Sequence, residues 1–191
     1  MTKGELRKEF IERRLSLTSH EVVRMGAKIA SALRSSQVYS GSRILSLYFP
    51  VKGEVPTEEI FRDARETGKI VVFPRVKGGR IEFSPVDDLQ DMRNGAFGIP
   101  EPTSTSVYSL SAIDLLLVPG VAFDIYGNRL GYGKGYFDSV LRQSPRPLSI
   151  ALSYECQICD GLLPTGPGDA RVDMVLTEIR LIEVRKTCKD G

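Results

Sequence analysis

The sequence predicts an α/β fold: a mostly parallel central sheet with helices on both faces, three layers in a single domain spanning residues 1–191. Three observations lead there. Helix-like and strand-like segments alternate along the chain, the pattern of a parallel sheet covered on both sides. The strand-like segments are apolar throughout rather than alternating, as in "AIDLLLVPG" (112–120), which marks strands buried on both faces. That strand then runs into the glycine-rich stretch "VAFDIYGNRLGYGKG" (121–135), at the carboxyl end of a strand, where open α/β sheets bind their ligands.

The elements follow in order. Lys3 to Leu17 reads as a helix with Leu6 and Phe10 on one side. At 3.6 residues per turn Lys3, Arg7 and Arg14 lie within roughly 40° of one another and share that sector with Phe10. Periodicity alone favours a solvated basic face here. Thr18 and Glu21 form the capping box of a second helix, whose apolar residues Val22, Met25, Ile29 and Leu33 keep helical spacing. "RILSLYFP" is a buried strand ending at Pro50. "TEEIFRDARETG" is a short helix with Thr57 as N-cap and Gly68 at its end. "KIVVFPRV" is the next strand, "RIEFSPV" a shorter one, and "GAFGIPEP" a loop. After "AIDLLLVPG", the central strand, and its long loop comes a helix from Tyr136 to Arg142. "PLSIALSY" and "DMVLTEI" are the closing strands. No internal repeat, low-complexity run or linker interrupts this order.

Composition narrows the function. The chain is 41% hydrophobic and 26% charged, enough for a sizeable core. A net charge of +2 is no nucleic-acid footprint, but it leaves room for a local basic pocket that takes an acidic ligand. No apolar run approaches the roughly 20 residues of a membrane span. The opening "MTKGELRKEF" is charged and lacks the apolar core of a signal peptide, so a cytoplasmic protein is expected. Cys156 and Cys159 form one C-x-x-C and Cys188 sits in a polar tail; two reduced thiols in a loop are expected rather than a redox motif, because no helix signature follows "CQIC". His20 is the single histidine and lies at the start of a helix, which argues against Ser-His-Asp hydrolysis and His-ligated zinc chemistry.

The glycine loop carries the chemistry. In "RLGYGKGYFDSVL" (129–141), Gly131, Gly133 and Gly135 let backbone N–H groups approach a ligand, and a helix N-terminus stands directly behind them. Arg129 and Lys134 add full positive charge. The spacing matches neither the Walker A loop nor the Rossmann fingerprint, so on spacing alone the loop is either a phosphate cradle or a flexible connection. Asp138 sits in the first turn of the next helix, serving its dipole or a Mg2+ beside a polyphosphate. Asp169 in "GPGDARVD" is a second carboxylate in a Gly/Pro-rich loop, a setting that also suits a turn former.

"LLLVPGVAFDIYGNRLGYGKGYFDSVL" closely resembles the signature of the 5-formyltetrahydrofolate cyclo-ligase family. "KGELRKEFIERR" is similar to the family's K-x-x-x-R opening, "YFPVKGEVPTEEI" to its glutamate-containing loop, "GAFGIPEP" to F-G-I-x-E-P, and "DARVDMVLTE" to its closing D-x-x-V-D-x-x-x-T-E. The chain has Gly168 where members often carry histidine, and Pro56 where others have a second acidic residue.

The resemblance implies an ATP- and Mg2+-dependent closure of 5-formyltetrahydrofolate to 5,10-methenyltetrahydrofolate, with release of ADP and phosphate through a phosphorylated formyl intermediate. It implies that Lys3, Arg7, Arg129, Leu130, Gly131, Tyr132, Gly133, Lys134, Gly135, Tyr136 and Phe137 line ATP. It implies that Tyr48, Glu54 and Tyr132 to Gly135 contact the folate and that Asp138 and Asp169 hold Mg2+. The expected partners are these small molecules, without nucleic acid or membrane, for a monomer or weak homodimer. Two other readings stay open: a catalytically idle folate- or nucleotide-binding module, and a sugar-phosphate isomerase or acyl-CoA transferase on a related scaffold.

Overall fold

The structure, a computed structural model, describes residues 1–184, so Cys188 lies outside the described residues. In chain order the elements are α1 (Lys3–Leu15), α2 (Ser19–Arg34), α3 (Gln37–Gly41), β1 (Ile44–Ser46), α4 (Glu58–Glu66), β2 (Ile70–Lys77), β3 (Arg80–Pro85), β4 (Met92–Asn94), β5 (Pro100–Pro102), β6 (Leu115–Val118), β7 (Ala122–Phe123), β8 (Arg129–Leu130), α5 (Tyr136–Leu141), β9 (Leu148–Leu152), β10 (Met174–Leu176) and β11 (Leu181–Glu183).

Seven strands form the main sheet in the order β11-β10-β9-β6-β1-β2-β3. The five inner strands run parallel, and β3 and β11 close the two edges antiparallel. Along β6, Leu115 and Leu117 join the apolar layer that holds Ile29 and Leu33 of α2 and Ile60 and Phe61 of α4. Leu116 and Val118 point the other way, into the layer with Val140 and Leu141 of α5. This two-sided burial is why β6 is apolar at every position. The expected three-layer arrangement is the one observed.

The chain builds β1, β2 and β3 outward on one side, then returns to β6 and builds β9, β10 and β11 outward on the other. Between the carboxyl ends of β1 and β6 the following loops therefore part, leaving the crevice at which such sheets bind ligands. Glu54 lies on the loop after β1, and the glycine loop follows β6.

Several local expectations are corrected. Thr57 makes no capping bond to α4; its hydroxyl donates to the Tyr48 carbonyl at 2.9 Å and ties the β1 loop to the helix. The strand in "RILSLYFP" pairs only over Ile44–Ser46 before the chain turns toward the crevice. "GAFGIPEP" is not all loop, since Pro100–Pro102 pairs antiparallel with Met92–Asn94. Within the glycine-rich stretch, Ala122–Phe123 and Arg129–Leu130 form a small hairpin. The first helix ends at Leu15 rather than Leu17.

Candidate active site

Helix α1 begins with a capping box in which Thr2 and Glu5 satisfy each other's backbone N–H groups. It lies on the small apolar cluster formed by Phe10 with Val121, Ala122, Leu130 and Leu163. This contact turns the cationic sector inward. Lys3 pairs with Asp169. Arg7 Nε donates to the Gly131 carbonyl at 2.8 Å. Arg14 is only 1% exposed, so the solvated-face reading of this helix fails: Phe10 shares the sector and pulls the cations onto the glycine loop.

A buried carboxylate fixes the root of that loop. Asp124 accepts hydrogen bonds from the Tyr126, Asn128 and Leu163 N–H groups and from Asn128 Nδ2, all between 2.8 and 3.0 Å. The chain is thereby folded back so that Arg129 follows as part of β8. The Arg129 side chain is 5% exposed, and its guanidinium pairs with Asp138 at 2.9 Å. Its Nε is buried without a partner. At the tip, Gly133 and Gly135 adopt φ values of +95° and +70°, open to glycine at little cost. A Cβ at Gly133 would meet the Arg7 guanidinium at 3.6 Å, and Gly135 is the N-cap of α5.

Asp138 and Asp169 come to the same edge. Asp138 Oδ1 accepts from the Ala170 N–H at 3.3 Å, one residue beyond Asp169. Burial pushes the Asp169 carboxyl up, but Lys3 and the Gly166 N–H outweigh it and hold the group below its ordinary range. A cleft of about 200 Å³ opens beside them, lined by Asn128, Arg129, Thr165, Gly166, Asp169 and Arg171. Two carboxylates, an unpartnered guanidinium N–H and several cations suit a Mg2+ with polyphosphate, because Mg2+ takes one or two carboxylates and completes its shell with phosphate and water oxygens. Among the described residues, no group of three or more His, Cys, Asp or Glu side chains is placed to hold a metal.

The other half of the crevice is closed to bulk solvent by burial. Glu54 is 5% exposed, and burial pushes its carboxyl up to about 7 against the pull of the Val51 N–H and of Arg14. It accepts from the Val51 N–H and the Tyr132 hydroxyl, both at 3.0 Å. Tyr48 stands apart from the expected contact surface. It is buried in the core, and its hydroxyl donates to the Val55 carbonyl at 3.0 Å. Its neighbour Phe49 is the half-exposed aromatic of that strand end. Leu130 is likewise a core residue, and Phe137 packs partly against the α5 layer. Lys134 is exposed, with Nζ 5.2 Å from the Phe97 ring, which also lies 6.1 Å from Tyr136.

Phe97 and Arg14 are residues of this region to which the sequence assigns no site role, Arg14 being expected only on a solvated basic face. Phe97 is 62% exposed at a left-handed φ of +59°, held out by local geometry that no periodicity reports. The signal for Arg14 was its shared sector with Lys3 and Arg7. His20 is exposed on α2, and Cys156 and Cys159 are half-buried free thiols.

The sequence signature of the 5-formyltetrahydrofolate cyclo-ligase family matches residues 1–178. The chain belongs to that family. This cyclo-ligase is 30% identical over 190 residues to the mouse 5-formyltetrahydrofolate cyclo-ligase, covering 92% of this chain and 93% of the mouse protein. It superposes with a TM-score of 0.88 and 34% identity on the NMR structure of Aquifex aeolicus 5,10-methenyltetrahydrofolate synthetase, over 100% of this chain and 97% of that one. A 5,10-methenyltetrahydrofolate synthetase from Mycoplasma pneumoniae gives a TM-score of 0.75 at 25% identity, over 93% and 99% of the two chains. The protein is therefore an enzyme of the ligase class acting on small molecules, and no described helix is long and apolar enough to cross a membrane.

Proposed function

We propose that this cyclo-ligase converts 5-formyltetrahydrofolate to 5,10-methenyltetrahydrofolate at the expense of ATP, with Mg2+. The observation that carries the reading is the two-part crevice: a cationic, glycine-lined half beside Asp138 and Asp169, and a buried half holding Glu54, joined at Tyr132.

The formyl oxygen on N5 is a poor leaving group. Its attack on the γ-phosphorus forms an O–P bond and releases ADP, which turns that oxygen into part of a phosphate. N10 then adds to the activated carbon, the C–O bond breaks, phosphate departs, and the N10 proton is lost to give the methenyl bridge. Such transfer asks for positioning and charge neutralisation rather than a nucleophilic side chain. Mg2+ held by Asp138 and Asp169 would offset the charge of the phosphate oxygens.

Lys3, Arg7, Arg129, Lys134 and the N–H groups of Gly131–Gly135 are assigned to the phosphates, with Leu130, Tyr136 and Phe137 lining the nucleotide. Glu54 is assigned to the pterin N–H donors, since a carboxylate accepts two such bonds side by side. Tyr132 to Gly135 stand between the two ligands, and Tyr48 acts by shaping the Glu54 loop. The whole chain works as one domain in the cytoplasm, as a monomer or weak homodimer.

The test is turnover of 5-formyltetrahydrofolate followed by absorbance of the methenyl product, with and without Mg-ATP. Product formed equally without ATP overturns the reading, and so does ATP binding without any product.

A further inference from the structure

We propose that Arg14 is a positioning residue that orients Glu54 toward the folate through the Tyr132 hydroxyl. The inference rests on the reading of Glu54 as the folate contact.

Arg14 is among the largest fully buried side chains of the protein, yet its hydrogen-bond partners are all uncharged oxygens. Nε donates to the Lys52 carbonyl at 2.9 Å, Nη1 to the Gly120 carbonyl at 3.0 Å, and Nη2 to the Tyr132 hydroxyl at 2.7 Å. These oxygens belong to the loop after β1, the turn after β6 and the glycine loop. One guanidinium thus fastens the three segments that wall the crevice. Burying a cation among neutral groups is costly, and an apolar side chain fills space with less penalty, so packing alone is a poor account of Arg14.

The direction of the chain of bonds is forced. A guanidinium has only donors, so the Tyr132 oxygen must accept from Arg14. Its proton is then free to go to Glu54 Oε1, 3.0 Å away. The other oxygen, Oε2, accepts from the Val51 N–H. The carboxylate plane is fixed from two sides, and each oxygen keeps a lone pair for a ligand donor.

The charged and titratable groups acting on Glu54 are Arg14 from α1, Arg129 from β8, Tyr132 from the glycine loop and Tyr48 from its own loop after β1. Burial favours the protonated acid. Arg14, Arg129 and the Tyr132 hydroxyl favour the carboxylate.

The experiment is the pH dependence of kcat/KM for 5-formyltetrahydrofolate at saturating Mg-ATP. It compares wild type, Arg14→Met, Arg14→Lys, Tyr132→Phe and Glu54→Gln, and Arg14→Met on the Glu54→Gln background, with folding checked by circular dichroism. Arg14→Met and Tyr132→Phe should move the acid limb upward by about one pH unit, the low end of what a nearby cation does to a carboxylate. Arg14→Lys, which keeps the charge, should return the limb most of the way. On the Glu54→Gln background the limb is gone, and Arg14→Met should have none to move. A limb that stays at its wild-type pH in Arg14→Met and Tyr132→Phe, with only the melting temperature lowered, overturns the role of Arg14. If Glu54→Gln itself keeps the limb and the folate KM, the reading of Glu54 fails instead. Should Arg14→Met not fold, Tyr132→Phe decides alone, because it removes only the linking hydroxyl.

Discussion

Replacing Glu54 with Gln should make the folded protein more stable above neutrality while impairing turnover. Burial pushes the Glu54 carboxyl from the ordinary 4.5 up to about 7. Between those two values the unfolded chain has given up this proton and the folded chain still holds it. Raising the pH through this window therefore favours unfolding. At 1.36 kcal/mol per pKa unit the gap amounts to about 3 kcal/mol of native-state cost, complete above about pH 7 and absent below about pH 4.5. Glutamine has no proton to lose, so the variant escapes this cost. It can still accept from the Val51 N–H and face the Tyr132 oxygen with its amide nitrogen, at a penalty of about 1 kcal/mol for the disturbed hydroxyl. Urea unfolding of both proteins at pH 5 and pH 8 isolates the effect, because the other titrating groups are shared. The stability difference, variant minus wild type, should grow by about 2 to 3 kcal/mol from pH 5 to pH 8, while kcat/KM for the folate drops at least tenfold. A difference that does not change with pH would refute the placement of Glu54 as a buried, costly carboxyl.

Further outcomes follow from the phosphate side. Lys134→Ala should raise the ATP KM about tenfold, the lower end for a charged hydrogen bond because the side chain is exposed; an unchanged KM would place Lys134 outside the cradle. Removal of residues 1–8 should abolish ATP binding measured by calorimetry while circular dichroism stays close to native, since every strand lies downstream of α1. Asp138→Asn and Asp169→Asn should both depress turnover, with partial rescue at high Mg2+, and the double variant should be little worse than either alone. Their stabilities should differ: Asp138→Asn strands the buried Arg129 and should cost about 3 kcal/mol, whereas the more exposed Lys3–Asp169 pair is worth about 1 kcal/mol or less. Wild-type turnover of either variant at low Mg2+ would remove that aspartate from the metal pair.

The parts of the fold legible in the sequence are those that depend on near neighbours or strong burial. Thr18 and Glu21 announce their capping box because its bonds span three residues. β6 announces itself because both its faces are buried. What stayed hidden depends on residues far apart in the chain. Arg14 on a basic helix looks like any solvated cation until Phe10 meets Val121 and Leu130. Thr57 precedes its helix as a capping residue would, but the carbonyl of Tyr48 competes for its hydroxyl. β11 is a three-residue edge strand, too short and too exposed for a pattern. The glycine loop was conspicuous in composition, yet the hairpin inside it rests on Asp124, whose partners reach as far as Leu163.

Helix α1 takes its side-chain partners from segments that follow it at long distance in the sequence. Lys3 has its partner 166 residues downstream, Arg7 124, and Arg14 reaches Gly120 and Tyr132. At a ribosomal pace of about 5–20 residues per second, Asp169 emerges on the order of ten seconds or more after Lys3. Until the segment from Gly120 to Tyr132 has emerged, Phe10 and Arg14 lack most of the surface that buries them, while β1, β2 and β3 already have one another. One side of the sheet can thus be complete before the wall that α1 forms with the glycine loop. The contacts of this thirteen-residue helix are therefore completed only as the second half of the sheet becomes available, and Lys3, at its first turn, is the last of its cations to meet a partner.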